Sequence, residues 1–193
     1  MNSYSVILAF TLIIYSTMLV GVLRDKRTKV RRVFSVYVVL AMCWSLNGLM
    51  LSLDVLGFPR LWASLMVISA ICVVIAYYRF VSVFVNKTND IPVKLGYAAV
   101  AFILVPLAVL GYLPESASIS SNGMLHISYG KFLYLLTAIG AVFFCLSVVT
   151  LVRSYRASTD PLARNRIAYL LGGLGLLLAF SIRNSIPRWQ LIR

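Results

Sequence analysis

The sequence predicts an all-α, polytopic transmembrane helical bundle with five clear spans and a short sixth. Three observations predict it. Six long apolar runs follow one another along 193 residues, separated by short loops. The runs are continuously apolar rather than alternating, which favours membrane helices over barrel strands. Positive charge is concentrated in every second loop, the pattern left when Lys and Arg are retained on one side during insertion. Composition agrees. The chain is 61% hydrophobic and its mean hydropathy is +0.93, whereas soluble domains carry roughly 45–50% apolar residues.

A helix needs about 20 residues to cross a hydrocarbon core of about 30 Å. The first run, 3–23, qualifies. It has no positive amino-terminal region, is too long for the apolar region of a signal peptide, and shows no small-residue cleavage site, so it is read as a retained helix. Arg24-Asp25-Lys26-Arg27 anchors its end. Thr28 lies in the tight loop leading to the second run, 33–53. Gly57-Phe58-Pro59 breaks the chain before the third, 61–84. Asn89-Asp90-Ile91-Pro92 does so before the fourth, 95–113, which holds a kink at Pro106 and stops at Pro114. In the next loop Asn122-Gly123 suits a type I′ turn, so 118–121 and 124–128 are expected to pair as a small hairpin. The fifth run is 132–152. The sixth, 167–182, is short, and Gly172, Gly173 and Gly175 in it are expected to permit close helix packing.

Residues 1–182 thus form one membrane domain and 183–193 a basic tail. Six crossings from an outside amino terminus would leave Arg183, Arg188 and Arg193 outside, against the charge rule. Two explanations fit that conflict: a frame interrupted before a seventh helix, favoured by the abrupt loss of apolar character at Arg183, or a short sixth helix that enters without fully crossing and leaves the tail inside.

The chain has 18 Lys plus Arg and a net charge of +13. Most cations fall in or beside three alternate loops: Arg24 to Arg32, then Arg79, Lys87 and Lys94, then Arg153 to Arg166. The intervening loops carry only Arg60 and Lys131. The basic loops are therefore expected inside and the amino terminus outside. No continuous face interleaves cations with aromatics, so the partner implied is the lipid bilayer with its anionic headgroups, not nucleic acid.

Residues capable of chemistry are few. The acids Asp25, Asp54, Asp90, Glu115 and Asp160 all lie in loops or at helix ends. A proton-coupled transporter usually needs an ionisable group near the midplane. Cys43, Cys72 and Cys145 lie in separate runs without a ligand-spaced Cys or His, and His126 has no partner acid nearby. No catalytic constellation, metal site or cofactor site is expected, and the chain is read as not an enzyme. Three residues stand out as packing or ligand contacts. Arg79 sits in Tyr77-Tyr78-Arg79-Phe80, either pairing inside the membrane or snorkelling to the interface with the tyrosines in an aromatic belt. Asn47 follows Trp44 by three residues on one helix face, and its amide needs a partner, either another helix or a ligand.

Two segments carry a family likeness. One is 32–52, RVFSVYVVLAMCWSLNGLMLS. The other runs from Leu125-His126-Ile127-Ser128-Tyr129-Gly130 through the fifth helix and Arg153 to Gly172, with Asp160-Pro161-Leu162-Ala163-Arg164-Asn165-Arg166-Ile167 its most recognisable part. Together they resemble the amino-terminal seven-helix membrane region of bacterial sensor histidine kinases and related diguanylate cyclases. The resemblance implies an input module that passes a signal to a cytoplasmic domain, often through a GAF or PAS module, by helix rearrangement in a homodimer. The chain departs from that family in lacking kinase, GGDEF, GAF and PAS segments and a seventh helix. The function expected is a sensory input module of the bacterial inner membrane without its cytoplasmic signalling domain. The rival is a small transporter subunit or membrane accessory protein. No ligand is legible in the sequence.

Overall fold

Backbone polar groups in lipid must be satisfied within their own segment, so uncharged apolar runs become helices. The computed structural model of the chain describes residues 3–24, 28–53, 55–87, 90–119, 125–128 and 130–185. Helices α1 (Ser3–Leu23), α2 (Lys29–Ser52) and α3 (Pro59–Phe84) come first. Helix α4 (Ile91–Ala99), a π-helical turn (Val100–Leu104) and α5 (Val105–Val109) then run on as one rod. Strands β1 (Ser116–Ile119) and β2 (Leu125–Ser128) precede α6 (Phe132–Ala157) and α7 (Pro161–Ser185). Among the described residues five helices are long and apolar enough to cross a membrane: α1, α2, α3, the α4–α5 rod and α6. The chain is an all-α multi-pass membrane protein with one small hairpin.

The ends of these elements follow from local chemistry. Thr28 caps α2, its hydroxyl accepting from the Arg31 N–H at 3.3 Å. α3 ends where Asn86 takes a left-handed φ of +57°. The Asn86 N–H then bonds Val83 O and the Lys87 N–H bonds Ser82 O, the paired bonds of a Schellman stop. The fourth rod ends the same way at Gly111, φ +79°, with Gly111 N–H on Ala108 O and Tyr112 N–H on Leu107 O. The sequence placed that end at 113 because Pro114 is the louder signal. The glycine acts first.

Pro106 was expected to kink the rod. The structure holds a π turn immediately before it, closed by the Val105 N–H on Val100 O, five residues back. Proline lacks an N–H and its ring crowds the carbonyl four residues earlier, and one wider turn accommodates both effects.

The hairpin is antiparallel, pairing Ser116 with Ser128 and Ile119 with Leu125. Its first strand thus begins at Ser116 rather than 118. Asn122-Gly123 lies outside the described residues, as do the side chain of His126 and residues 186–193.

Residues Met1–Phe144 form one compact unit. Within it α1 and α2 are antiparallel neighbours: Ser5 Oγ lies 3.1 Å from Ser52 Oγ, and Leu8 meets Gly48. α2 packs along α3, whose Ala63, Ile75, Tyr78 and Val81 are fully buried. Most of α1 remains open to lipid, as do Phe102 and Val109 of the fourth rod. Small residues set the close approaches, as expected where lipid removes the hydrophobic drive between helices. A Cβ on Gly48 would stand 3.3 Å from Leu8 Cδ1. One on Gly96 would stand 2.5 Å from Phe143 Cζ.

Residues Cys145–Arg193 form a second unit. Helix α7 spans 25 residues, not the 16-residue core at 167–182 expected for it, and it continues through the first three residues of the expected tail. Asp160 sets its start. Oδ1 accepts the Leu162 N–H at 3.0 Å, Oδ2 faces the Ala163 N–H at 3.4 Å, and Pro161 occupies the first helical position. Apolar periodicity marks only the apolar part of such a helix and misses its polar first turns. Gly172, Gly173 and Gly175 were expected to seat a neighbouring helix. Within this unit, leaving out the helix's own backbone, no described atom lies within 4 Å of where their Cβ atoms would be.

Candidate functional site

The strongest constellation lies where α2 crosses α3. Both helices are apolar, so an amide between them has few partners and its hydrogen bond is well defined. Asn47 of α2 donates through Nδ2 to Ser69 Oγ of α3 at 3.3 Å. The Ser69 hydroxyl donates in turn toward Leu65 O at 2.7 Å and Met66 O at 3.0 Å. A side-chain chain of this kind ties α2 to the backbone of α3 one turn further back.

Trp44, one turn before Asn47, is partly exposed and forms one wall of an open groove of about 280 Å³. Met66, Val67, Ala70 and Ile71 of α3 and Leu136 and Thr137 of α6 form the rest. The lining is apolar, apart from the Thr137 hydroxyl and the Trp44 indole N–H. Trp44 and Asn47 therefore belong to one site, joined by α3 residues that sequence reasoning did not single out. Ser69 was the missed member. Its signal was a lone hydroxyl in the apolar stretch Leu65-Met66-Val67-Ile68-Ser69-Ala70.

Arg79 is elsewhere. It lies ten residues beyond Ser69 on α3, about 15 Å along the axis. Its side chain is exposed, while its neighbours Tyr78 and Phe80 are buried. These tyrosines pack against other rings. Tyr78 packs edge-on against Phe143 at 5.7 Å. Tyr77 meets Tyr37 of α2 at 5.6 Å, and Phe34, Phe80 and Phe84 extend the cluster. Helix spacing turns these rings toward α2 and α6 and leaves Arg79 exposed on another face of α3.

The opposite end of α3 holds a polar tether that the sequence did not reveal. Arg60 Nε donates to Pro114 O at 3.2 Å and a terminal guanidinium nitrogen donates to Gly111 O. Ser64 Oγ donates toward Leu113 O at 2.9 Å, and Trp62 Nε1 donates to Val55 O at 2.8 Å. The Gly111, Leu113 and Pro114 carbonyls lie beyond the last turn of α5 and at the start of the hairpin, where no helix supplies N–H groups. One arginine and one serine satisfy them. The Glu115 N–H then starts the hairpin by bonding Ser128 O at 2.9 Å.

In the second unit, the Asp160–Ile167 segment that carries the family likeness is built for local structure. Asp160 and Pro161 start α7, and the Arg164 guanidinium stacks over the Tyr155 ring of α6 at 4.5 Å. Asp160 and Pro161 thus serve the helix start, Arg164 the cation–π contact, and Ile167 is buried. No protein-family model matches the chain, and neither any curated protein nor any solved structure does.

Proposed function

We propose that the chain is the membrane-embedded sensory input module of a bacterial signal-transduction protein, non-enzymatic, seated in the inner membrane with its amino terminus outside. The observation that carries this reading is the construction of α3. One 26-residue helix, about 39 Å long, joins two differently built ends. At the hairpin end Arg60 and Ser64 hold the loop backbone. At the basic-loop end Tyr77, Phe80 and Phe84 interlock with Phe34 and Tyr37 of α2. A displacement of the hairpin pulls on α3 directly, and a continuous helix carries it to the aromatic cluster.

The acids support the same reading. Asp90, Glu115 and Asp160 lie in loops or at helix ends, so none of the described carboxylates sits within a long apolar helix, where proton-coupled transport would need one. Signal transfer would pass between two copies to a cytoplasmic signalling domain.

The test is mild in-membrane crosslinking of the tagged full chain in its native host, followed by identification of what is covalently held. A histidine kinase or nucleotide cyclase supports the proposal. A transport ATPase overturns it in favour of a transporter subunit. Purified chain incubated with labelled ATP or GTP should yield neither autophosphorylation nor cyclic dinucleotide, because phosphoryl transfer needs a site that positions phosphate and metal.

A further inference from the structure

The α1–α2 hairpin creates a small cleft at its basic end. The register set by Ser5 against Ser52 and Leu8 against Gly48 brings the last turn of α1 beside the first turns of α2. Val22 and Leu23 from α1 and Arg31, Arg32 and Ser35 from α2 line a cavity of about 140 Å³. One wall is apolar and continuous with the exposed face of α1, where Val20 and Leu23 are more than half exposed. The other wall is formed by Arg31 and Arg32, which bring two guanidinium groups to this end of the hairpin. The Ser35 hydroxyl beneath them is turned back onto Arg31 O at 2.9 Å.

We propose that this cleft binds the headgroup phosphate of an anionic phospholipid. The fit is chemical on both sides. A guanidinium fork matches phosphate oxygens and desolvates more readily than an ammonium. The apolar wall lies where the first methylenes of the same lipid's acyl chains would run. A free phosphate would use only the cationic half of the cleft. The charge balance favours an anionic lipid over a zwitterionic one, since residues 24–32 carry six Lys and Arg against the single acid Asp25 and the whole chain is +13. The lipid would bridge α1 and α2 at the end opposite the Ser5–Ser52 contact, holding the hairpin at both ends.

The experiment is native mass spectrometry of the full chain in mild detergent, titrated with phosphatidylglycerol, phosphatidylcholine or inorganic phosphate. Wild type should retain phosphatidylglycerol preferentially. The double variant Arg31→Gln/Arg32→Gln should lose about tenfold or more in apparent affinity. A control pair in another basic loop, Arg153→Gln/Arg156→Gln, should stay within about twofold. Arg31→Lys/Arg32→Lys should recover part of the binding, since charge returns without the fork. Unchanged thermal stability of the variants in phosphatidylcholine shows that the bundle is intact. Equal losses in the two glutamine pairs would reduce the effect to total charge and overturn the site. So would undiminished binding in Arg31→Gln/Arg32→Gln, or displacement of the lipid by inorganic phosphate at equal concentration.

Discussion

Asn47 and Gly96 define how single side chains hold this bundle. Asn47 reaches Ser69 across the α2–α3 contact, and interhelical polar contacts in lipid are worth about 0.6 kcal/mol on average and up to about 2. Asn47→Leu should therefore lower stability by about 0.6–2 kcal/mol. Combined with Ser69→Ala, it should show a coupling of the same size in a double-mutant cycle read by reversible unfolding in bicelles. Strict additivity would mean the hydrogen bond contributes nothing. Gly96 acts through absence of volume. A methyl group there meets the Phe143 ring at 2.5 Å and Ile75 Cδ1 at 3.2 Å, so Gly96→Ala should cost about 1–3 kcal/mol by overpacking. Phe143→Leu in the same chain should recover part of that loss. If the second substitution only adds to the damage, the two residues do not share the space described.

At the scale of elements, helix ends are set by residues that apolar pattern does not weigh. Gly111 stops the fourth rod in a left-handed conformation and presents its carbonyl to Arg60. Gly111→Ala places a Cβ 3.0 Å from the guanidinium and forces an L side chain into the left-handed region, at about 1–2 kcal/mol. Asp160→Ala removes the cap of α7 and should cost about 0.5–2 kcal/mol. The readouts differ by location. Amide exchange should accelerate around 107–115 in the first variant and around 160–165 in the second. Acceleration spread evenly over the chain in either case would argue against a local role for that stop.

For the whole molecule, the alternation of charge between loops makes a directional statement. With the amino terminus outside, a single cysteine replacing Thr88 is shielded in intact cells, and one replacing Ser121 reacts with an impermeant thiol reagent. Both are tested in a chain from which Cys43, Cys72 and Cys145 have been removed. The motive is the Lys and Arg bias. Labelling at Thr88 and not at Ser121 would invert the orientation.

The apolar runs and alternating charges were sufficient to specify a multi-pass helical protein, because the bilayer imposes length and hydrogen-bond satisfaction on each segment alone. The first run was legible to the residue, since α1 is apolar throughout and needs no partner to define it. The hairpin was legible in outline from Asn122-Gly123. The need of Asn47 for a partner was also visible, because an amide in lipid is costly to leave unpaired. Tertiary structure decided that Ser69 supplies that partner, that Arg60 serves backbone carbonyls more than fifty residues away, and that Gly48 and Gly96 admit neighbouring side chains. It also turned Tyr77 and Tyr78 inward to other rings and left Arg79 outside. These outcomes depend on helix rotation and register. In a uniformly apolar run every face is equally suited to lipid, so the choice of inward face falls to packing between segments far apart in the chain.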